Sequence, residues 1–243
     1  MITPRFHVPE PLPRTADAEV VLRGAAAQHM QVLRLAAGDM LALFDGGGGE
    51  CAATLLECGK REARVRIDAH HAIERESPLR ITLVQALATG DKMDAIVQKA
   101  VELGVRAIQP VSTVRATVRL TTERAAQRRA HWQAVAIAAC EQCGRNRIPD
   151  VFAVTAFDRW LSAPVDGLRA VLHPEGGATL DAVRLHAPIA LAIGPEGGFS
   201  PEEVVAARQA GATILTAGPR VLRTETAGMA MLAALNARAG AFA

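Results

Sequence analysis

Residues 189–203 read IALAIGPEGGFSPEE, and this stretch decides the fold. Ile189–Ile193 is a continuous apolar run with no alternation, so the strand it predicts is buried on both faces, as in a parallel sheet. The run stops at the glycine-rich Gly194–Gly198. Ser200, Pro201 and Glu203 then mark a helix start, with a capping serine, proline at the first helical position and a glutamate closing a capping box. A buried strand feeding such a loop presents backbone at the carboxyl edge of a sheet, where sheets of this class bind ligands. A tight strand-to-helix turn without a ligand is the plainer alternative.

Two more strands end in the same way. Leu168–Leu172 runs into His173-Pro174-Glu175-Gly176-Gly177, and Thr213–Thr216 runs through Ala217 into Gly218-Pro219-Arg220-Val221-Leu222-Arg223-Thr224-Glu225. Three such loops at one sheet edge would enclose a small-molecule site. None has the spacing and lysine of a triphosphate loop, which argues against a nucleotide-triphosphate enzyme. His173 alone reads more readily as a capping or core histidine than a catalytic one. Arg220, Arg223 and Glu225 precede a helix whose interior, Ala227–Ala237, is small or apolar. Such charges need a polar ligand or one another, so an internal Arg–Glu pair stays open.

Strand and helix patterns alternate around these segments. Strands are expected over Ile81–Leu87 and Ala107–Val111, and helices over Lys92–Leu103, about Glu123–Cys143, Pro201–Ala210 and from about Thr224. Before residue 75 the pattern differs: an apolar segment, the turn Asp45–Gly49 and the alternating Ala63–Asp68 predict strands around one short helix, a small barrel or sandwich. The four glycines lack dinucleotide spacing and read as a hairpin. Two domains follow, 1–73 and 74–243.

With 243 residues, 50% of them hydrophobic, the chain can bury a core in each. The opening residues carry no signal pattern and no apolar run is long enough to span a membrane, which predicts a cytoplasmic protein. Four cysteines make no disulfide framework; Cys140 and Cys143 have chelating spacing but sit in a helical run without a second pair, so no metal is expected. The net charge is only +2, yet residues 76–160 hold twelve basic and eight acidic groups. Arg106, Arg115, Arg119, Arg124, Arg128 and Arg129 are accompanied by Glu123 alone, which suits either a phosphate backbone or a solvated helix face. Aromatic residues are only 3%, with no tyrosine, so an aromatic stacking platform is not expected.

Four segments carry a resemblance: Gly90-Asp91-Lys92-Met93 through Gly104, Ala139–Arg145, Ile193–Gly198 and Gly218–Ala227. Together they resemble the small-subunit ribosomal RNA uridine N3-methyltransferases of the SPOUT superfamily, over essentially the whole chain. The resemblance implies an N-terminal PUA-like RNA-binding β-barrel and an α/β domain with a mainly parallel sheet closed by a trefoil knot. It also implies a homodimer with its sites near the subunit interface, and small-subunit ribosomal RNA or the assembled subunit as substrate. S-adenosylmethionine would lie against Leu172, His173, Gly194, Pro195, Glu196, Gly197, Ala217, Gly218, Leu222 and Thr224; Ala217 departs from the bulkier leucine usual there. Arg5, His29, Arg34, Arg115, Arg119 and Arg145 are the expected RNA-facing residues. Arg223, with Arg220 or Arg145 of the partner subunit, would stabilise charge on the uracil oxygens while Glu225 or Glu196 takes the proton. A methyltransferase for another RNA atom, and an RNA-binding factor without turnover, are the rival readings.

Overall fold

The computed structural model describes residues 3–182, 184, 185 and 188–242. One unit holds the residues up to Glu76 together with Cys140–Ile148; the other holds Ser77–Ala139 and the residues from Pro149 onward.

In the first unit, β1 (Arg5–His7), β2 (Glu19–Arg23), helix α1 (Ala25–Val32), β3 (Met40–Phe44), β4 (Glu50–Cys58) and β5 (Glu62–His71) follow in sequence. The strands form one sheet in the order β1-β3-β4-β5-β2, with β1 parallel to β3 and the remaining pairs antiparallel. Alternation in β5 buries Ala63, Val65 and Ile67 and turns Arg64 and Arg66 outward. Those side chains join Phe6, Leu22, Met30 and Leu55 in a core under the sheet. The glycine run is the β3–β4 hairpin: Gly49 has φ +73° and a Cβ there would stand 2.9 Å from the His71 carbonyl oxygen.

Cys140–Ile148 belongs to this unit, whereas the sequence reading keeps it in 74–243. The cause is a set of pairings between residues about seventy positions apart, which no local pattern reveals. Asn146 Nδ2 donates to the Ile73 carbonyl (2.8 Å), Arg147 Nε to Glu74 (3.1 Å) and Arg145 Nε to Glu76 (2.9 Å).

The second unit contains β6 (Ile81–Ala86), α2 (Lys92–Glu102), β7 (Ala107–Ser112), most of α3 (Thr122–Cys143), β8 (Asp150–Val151), β9 (Thr155–Ala156) and α4 (Phe157–Ser162). It continues with β10 (Leu168–Leu172), β11 (Ile189–Ile193), α5 (Pro201–Gln209), β12 (Thr213–Leu215) and α6 (Thr224–Arg238). The sheet order is β12-β10-β11-β6-β7-β8, β9 adds to β7, and every pair is parallel. All five residues of β11 are buried, as its unbroken apolar run requires. Helix α2 buries Met93, Ile96, Val97, Ala100 and Val101 on one stripe, and α6 packs against it and against β11. A Cβ on Gly228 of α6 would make only ordinary contacts, 3.5 Å from Leu83 and 3.6 Å from Ile193. The two-residue strands β8 and β9 and the short α4 are too brief for periodicity to expose.

Candidate active site

The loop after β11 is held from several sides. Ser200 Oγ accepts from the Glu203 N–H (3.2 Å), and Glu203 Oε2 accepts from the Ser200 N–H (2.8 Å), so both halves of the capping box form. The other carboxylate oxygen of Glu203 accepts from the Val114 N–H at 2.8 Å. Phe199, 3% exposed, stacks on Phe157 with centroids 4.6 Å apart. The turn itself is tight: a Cβ on Gly194 would meet the Phe199 nitrogen at 3.1 Å, and one on Gly197 would meet Arg115 at 3.4 Å. Gly194 therefore serves chain packing as well as lining the cavity, while at Gly197 the contact with Arg115 is an ordinary one.

Neighbouring loops are fastened to this one. Thr216 Oγ1 donates to the His173 carbonyl (3.2 Å) and accepts from the Gly177 N–H (3.1 Å), joining the ends of β10 and β12. His173 Nδ1 lies 2.8 Å from the Glu175 carbonyl and accepts the Glu175 N–H at 3.2 Å, so its ring closes its own turn. Thr224, at the start of α6, donates to the Gly194 carbonyl (2.6 Å) and accepts from Gln85 Nε2 (3.0 Å) on β6.

These three loops enclose a cavity of about 420 Å³, within the range of small-molecule sites. Leu172, His173, Gly194, Pro195, Glu196 and Gly197 line it. Ala217, Gly218, Leu222 and Thr224 complete the set expected from sequence, joined by Arg220, Arg223 and Arg115. Ile193, Phe199 and Ala227 add apolar wall. Gly198 (φ +68°) and Gly218 (φ +70°) are left-handed, and a Cβ on either would meet no atom within 4 Å. Apolar side chains beside loop backbone fit a purine nucleoside with a small charged tail, the chemistry of S-adenosylmethionine.

Glu225 lies outside this lining, in the first turn of α6, and pairs with Lys92 (3.7 Å). Lys92 also donates to Glu196 Oε1 at 2.9 Å, and the Thr89 N–H and hydroxyl reach the same oxygen at 3.0 and 2.7 Å. Burial alone would push the Glu196 carboxyl up, but the Thr89 and Lys92 hydrogen bonds outweigh it and bring its pKa to about 2. Arg220 and Arg223 are exposed and hydrogen-bond to none of the described residues, so the internal Arg–Glu pair left open by the sequence does not form. Glu225 has a lysine partner instead, and its Oε2 is shielded from solvent without a hydrogen bond.

The expected RNA-facing residues divide. Arg34 is exposed at φ +57°, and the half-exposed His29 lies 3.7 Å from Glu141. Arg115 and Arg119 are exposed on the segment after β7. Arg5 is mostly buried between Glu50 (2.5 Å) and Asn146 (2.6 Å), over the Phe44 ring. Arg145 is 3% exposed and its guanidinium is occupied by Glu76, so in this chain it offers no charge to a phosphate. Cys140 is buried, its thiol pushed up to about 12 by burial, and no cluster of three His, Cys, Asp or Glu suited to a metal occurs among the described residues.

A family model described as an RNA methyltransferase domain matches residues 75–236, and one described as an RNA methyltransferase PUA domain matches residues 22–68. The ribosomal RNA small subunit methyltransferase E of Synechocystis is 32% identical, with 91% of this chain and 74% of that protein covered. The chain belongs to the ribosomal RNA small subunit methyltransferase E family. A methyltransferase E from Neisseria gonorrhoeae, solved bound to S-adenosyl methionine, is 40% identical with a TM-score of 0.91 over 96% of this chain and 97% of that one. A Legionella pneumophila protein solved in complex with SAM is 38% identical, with a TM-score of 0.94 over 98% of each chain.

Within this methyltransferase E fold, sequence reading overlooked Thr89, Lys92, Gln85 and Phe157 as supports of the site. Lys92 stood in a quoted motif, but its partners are 104 and 133 residues away. Only an unexplained lysine at the start of an apolar-faced helix signalled it.

Proposed function

We propose that this chain transfers a methyl group from S-adenosylmethionine to N3 of a uridine in small-subunit ribosomal RNA. The observation that carries this reading is the cavity of about 420 Å³ with Leu172, Gly194, Leu222 and two arginines, Arg220 and Arg223, that have no partner among the described residues, in its lining. Bound there, S-adenosylmethionine supplies a methyl group on a cationic sulfur that leaves as a neutral thioether. The cofactor rests on the three loops, and the uridine approaches from the side of the arginines.

The N3 proton of uracil is held too tightly to leave unaided at neutral pH. Arg223 and Arg220 stabilise the negative charge that builds on the ring carbonyl oxygens as the N3–H bond breaks and the N3–methyl bond forms. A carboxylate takes the proton. Glu196 is a poor acceptor, because the hydrogen bonds on its Oε1 bring its pKa to about 2 and so lower its basicity. Glu225 is the alternative: its Oε2 is screened from water and lacks a hydrogen-bond partner among the described residues, with Lys92 Nζ 3.7 Å away, and it stands at the margin of the cavity. Glu196 instead ties the β11–α5 loop to Thr89 and Lys92 and holds the donor in place.

The same reading extends to the whole protein. The first unit, with Arg34 and His29 exposed, grips RNA through backbone and shape. The enzyme works as a homodimer in the cytoplasm, where small subunits are assembled. Val114 and Val221, 66% and 79% exposed beside the cavity, suit a subunit interface. The segment after β11 closes a trefoil knot, consistent with β12 lying beyond β10 while α6 returns to α2 and β11.

Nucleoside mass spectrometry of small-subunit RNA from a strain lacking the gene tests this reading. Loss of 3-methyluridine, restored by the wild-type gene but not by Arg223→Ala, is expected. Loss of a ribose methylation instead would assign the enzyme to another RNA atom.

A further inference from the structure

The carboxyl edge of the parallel sheet carries a second cleft, of about 620 Å³, larger than the donor cavity and without a role in the transfer described above. Leu87 and Ser112, at the ends of β6 and β7, contribute to it, as do Ala126, Arg129 and Ala130 of α3 and the β9 residues Thr155 and Ala156. Val118, Arg119 and Leu120 close it. The last three belong to residues 113–121, which form a wall common to both cavities. Arg115 on this segment lines the donor cavity and donates to the Gly197 carbonyl at 3.2 Å, while the Val114 N–H is held by Glu203. Four residues on, Arg119 lines the second cleft, with its guanidinium on the Thr113 and Val114 carbonyls at 3.4 and 3.0 Å.

Charge decides what the cleft suits. Between Thr113 and Gln133 there are five arginines and a single carboxylate, Glu123. Arg119 and Arg129 are in the lining, and Arg124 and Arg128 are exposed on the same half of α3. Arg129 uses Nε on the Val151 carbonyl (2.8 Å) and keeps its terminal nitrogens free of hydrogen bonds to the described residues. An apolar interior of Leu87, Val118, Leu120 and alanines would accept a base face, with guanidinium planes to stack on it and the remaining arginine donors left for a phosphate. A neutral protein segment would satisfy the interior and leave the arginines without counter-charge.

We infer that this cleft binds a nucleotide flanking the methylated one in the RNA strand, held by residues 113–121 in fixed relation to the donor. The inference rests on the proposed RNA methyl transfer and adds a second nucleotide subsite to it. Ala130→Trp tests it, because Ala130 is exposed on α3 and a tryptophan there fills the cleft; Ala126→Trp is a second filling variant should the first not fold.

Wild-type transfer to undermethylated small subunits is measured first, and its absence would sink the proposed function, not the subsite alone. With wild type active, the filled variant should bind S-adenosylmethionine within about twofold of wild type by calorimetry. Its kcat/KM for the subunit should fall about tenfold or more, chiefly through KM. Arg119→Gln should lower the salt dependence of RNA binding by about 0.7 in log–log slope. A filled variant whose kcat/KM stays within about twofold of wild type would overturn the inference. So would loss of dimerisation, read by sedimentation, with RNA affinity intact, because a second copy of the chain would then occupy the cleft.

Discussion

Glu196 accepts three hydrogen bonds on one oxygen, from the Thr89 N–H and hydroxyl and from Lys92. Glu50, in the first unit, is likewise brought to about 2: burial raises it, and hydrogen bonds from Arg75, Arg5 and Asn146 more than reverse the effect. Both carboxyls are lowered from an ordinary value of 4.5, so the folded chain binds their protons less readily than the unfolded one. Their stabilising contribution is complete above about pH 4.5 and is lost as the pH falls towards about 2. Urea midpoints measured between those limits should fall with pH, and Glu196→Gln should shallow that fall. An unchanged slope would mean the hydrogen bonds do not persist in solution. Arg223 makes a different demand. Arg223→Ala should leave S-adenosylmethionine affinity nearly unaltered and lower kcat about a hundredfold, the size seen when one donor to a developing oxyanion is removed; single-turnover kinetics at saturating cofactor and subunit read the change.

At the scale of elements, Thr224 joins α6 to β11 and β6 through one hydroxyl, 5% exposed, set between the Gly194 carbonyl and the fully buried Gln85. Thr224→Val keeps the shape and strands both partners, and Gln85 Oε1 already lacks one. A loss of about 1–3 kcal/mol is expected, measured by denaturant unfolding. Weaker cofactor binding by calorimetry should accompany it, because Gly194 is part of the cavity wall. Much of this level was legible beforehand. The strands Leu168–Leu172 and Ile189–Ile193, the helix starts at Pro201 and Thr224 and the three loops after β10, β11 and β12 all stand where apolar runs meet glycine, proline and capping residues. Such signals are local, and so they survive in one sequence. Pairings across long separations do not: the Glu76 partner that buries Arg145, the Thr89 and Lys92 clamp on Glu196 and the Phe157 stack under Phe199 leave no periodic trace. The same limit explains the transfer of Cys140–Ile148 to the first unit.

For the whole molecule, charge distribution matters more than the net +2. Arg115, Arg119, Arg124, Arg128 and Arg129 crowd a segment with one acidic residue, and a surface of that kind binds RNA by releasing counterions. Affinity for small subunits should therefore drop steeply between low and physiological salt, as read by filter binding or sedimentation. A flat response would assign those arginines to a solvated helix face. In the proposed function, three loops at one sheet edge hold a methyl donor beside Arg220 and Arg223 for transfer to a uracil nitrogen. The most direct test of that function is incubation of purified protein and undermethylated small subunits with methyl-labelled S-adenosylmethionine, followed by mapping of the labelled nucleotide. Label at a single uridine, released as 3-methyluridine on digestion, is the result expected. No label in the RNA, or label on a ribose oxygen, would contradict the account.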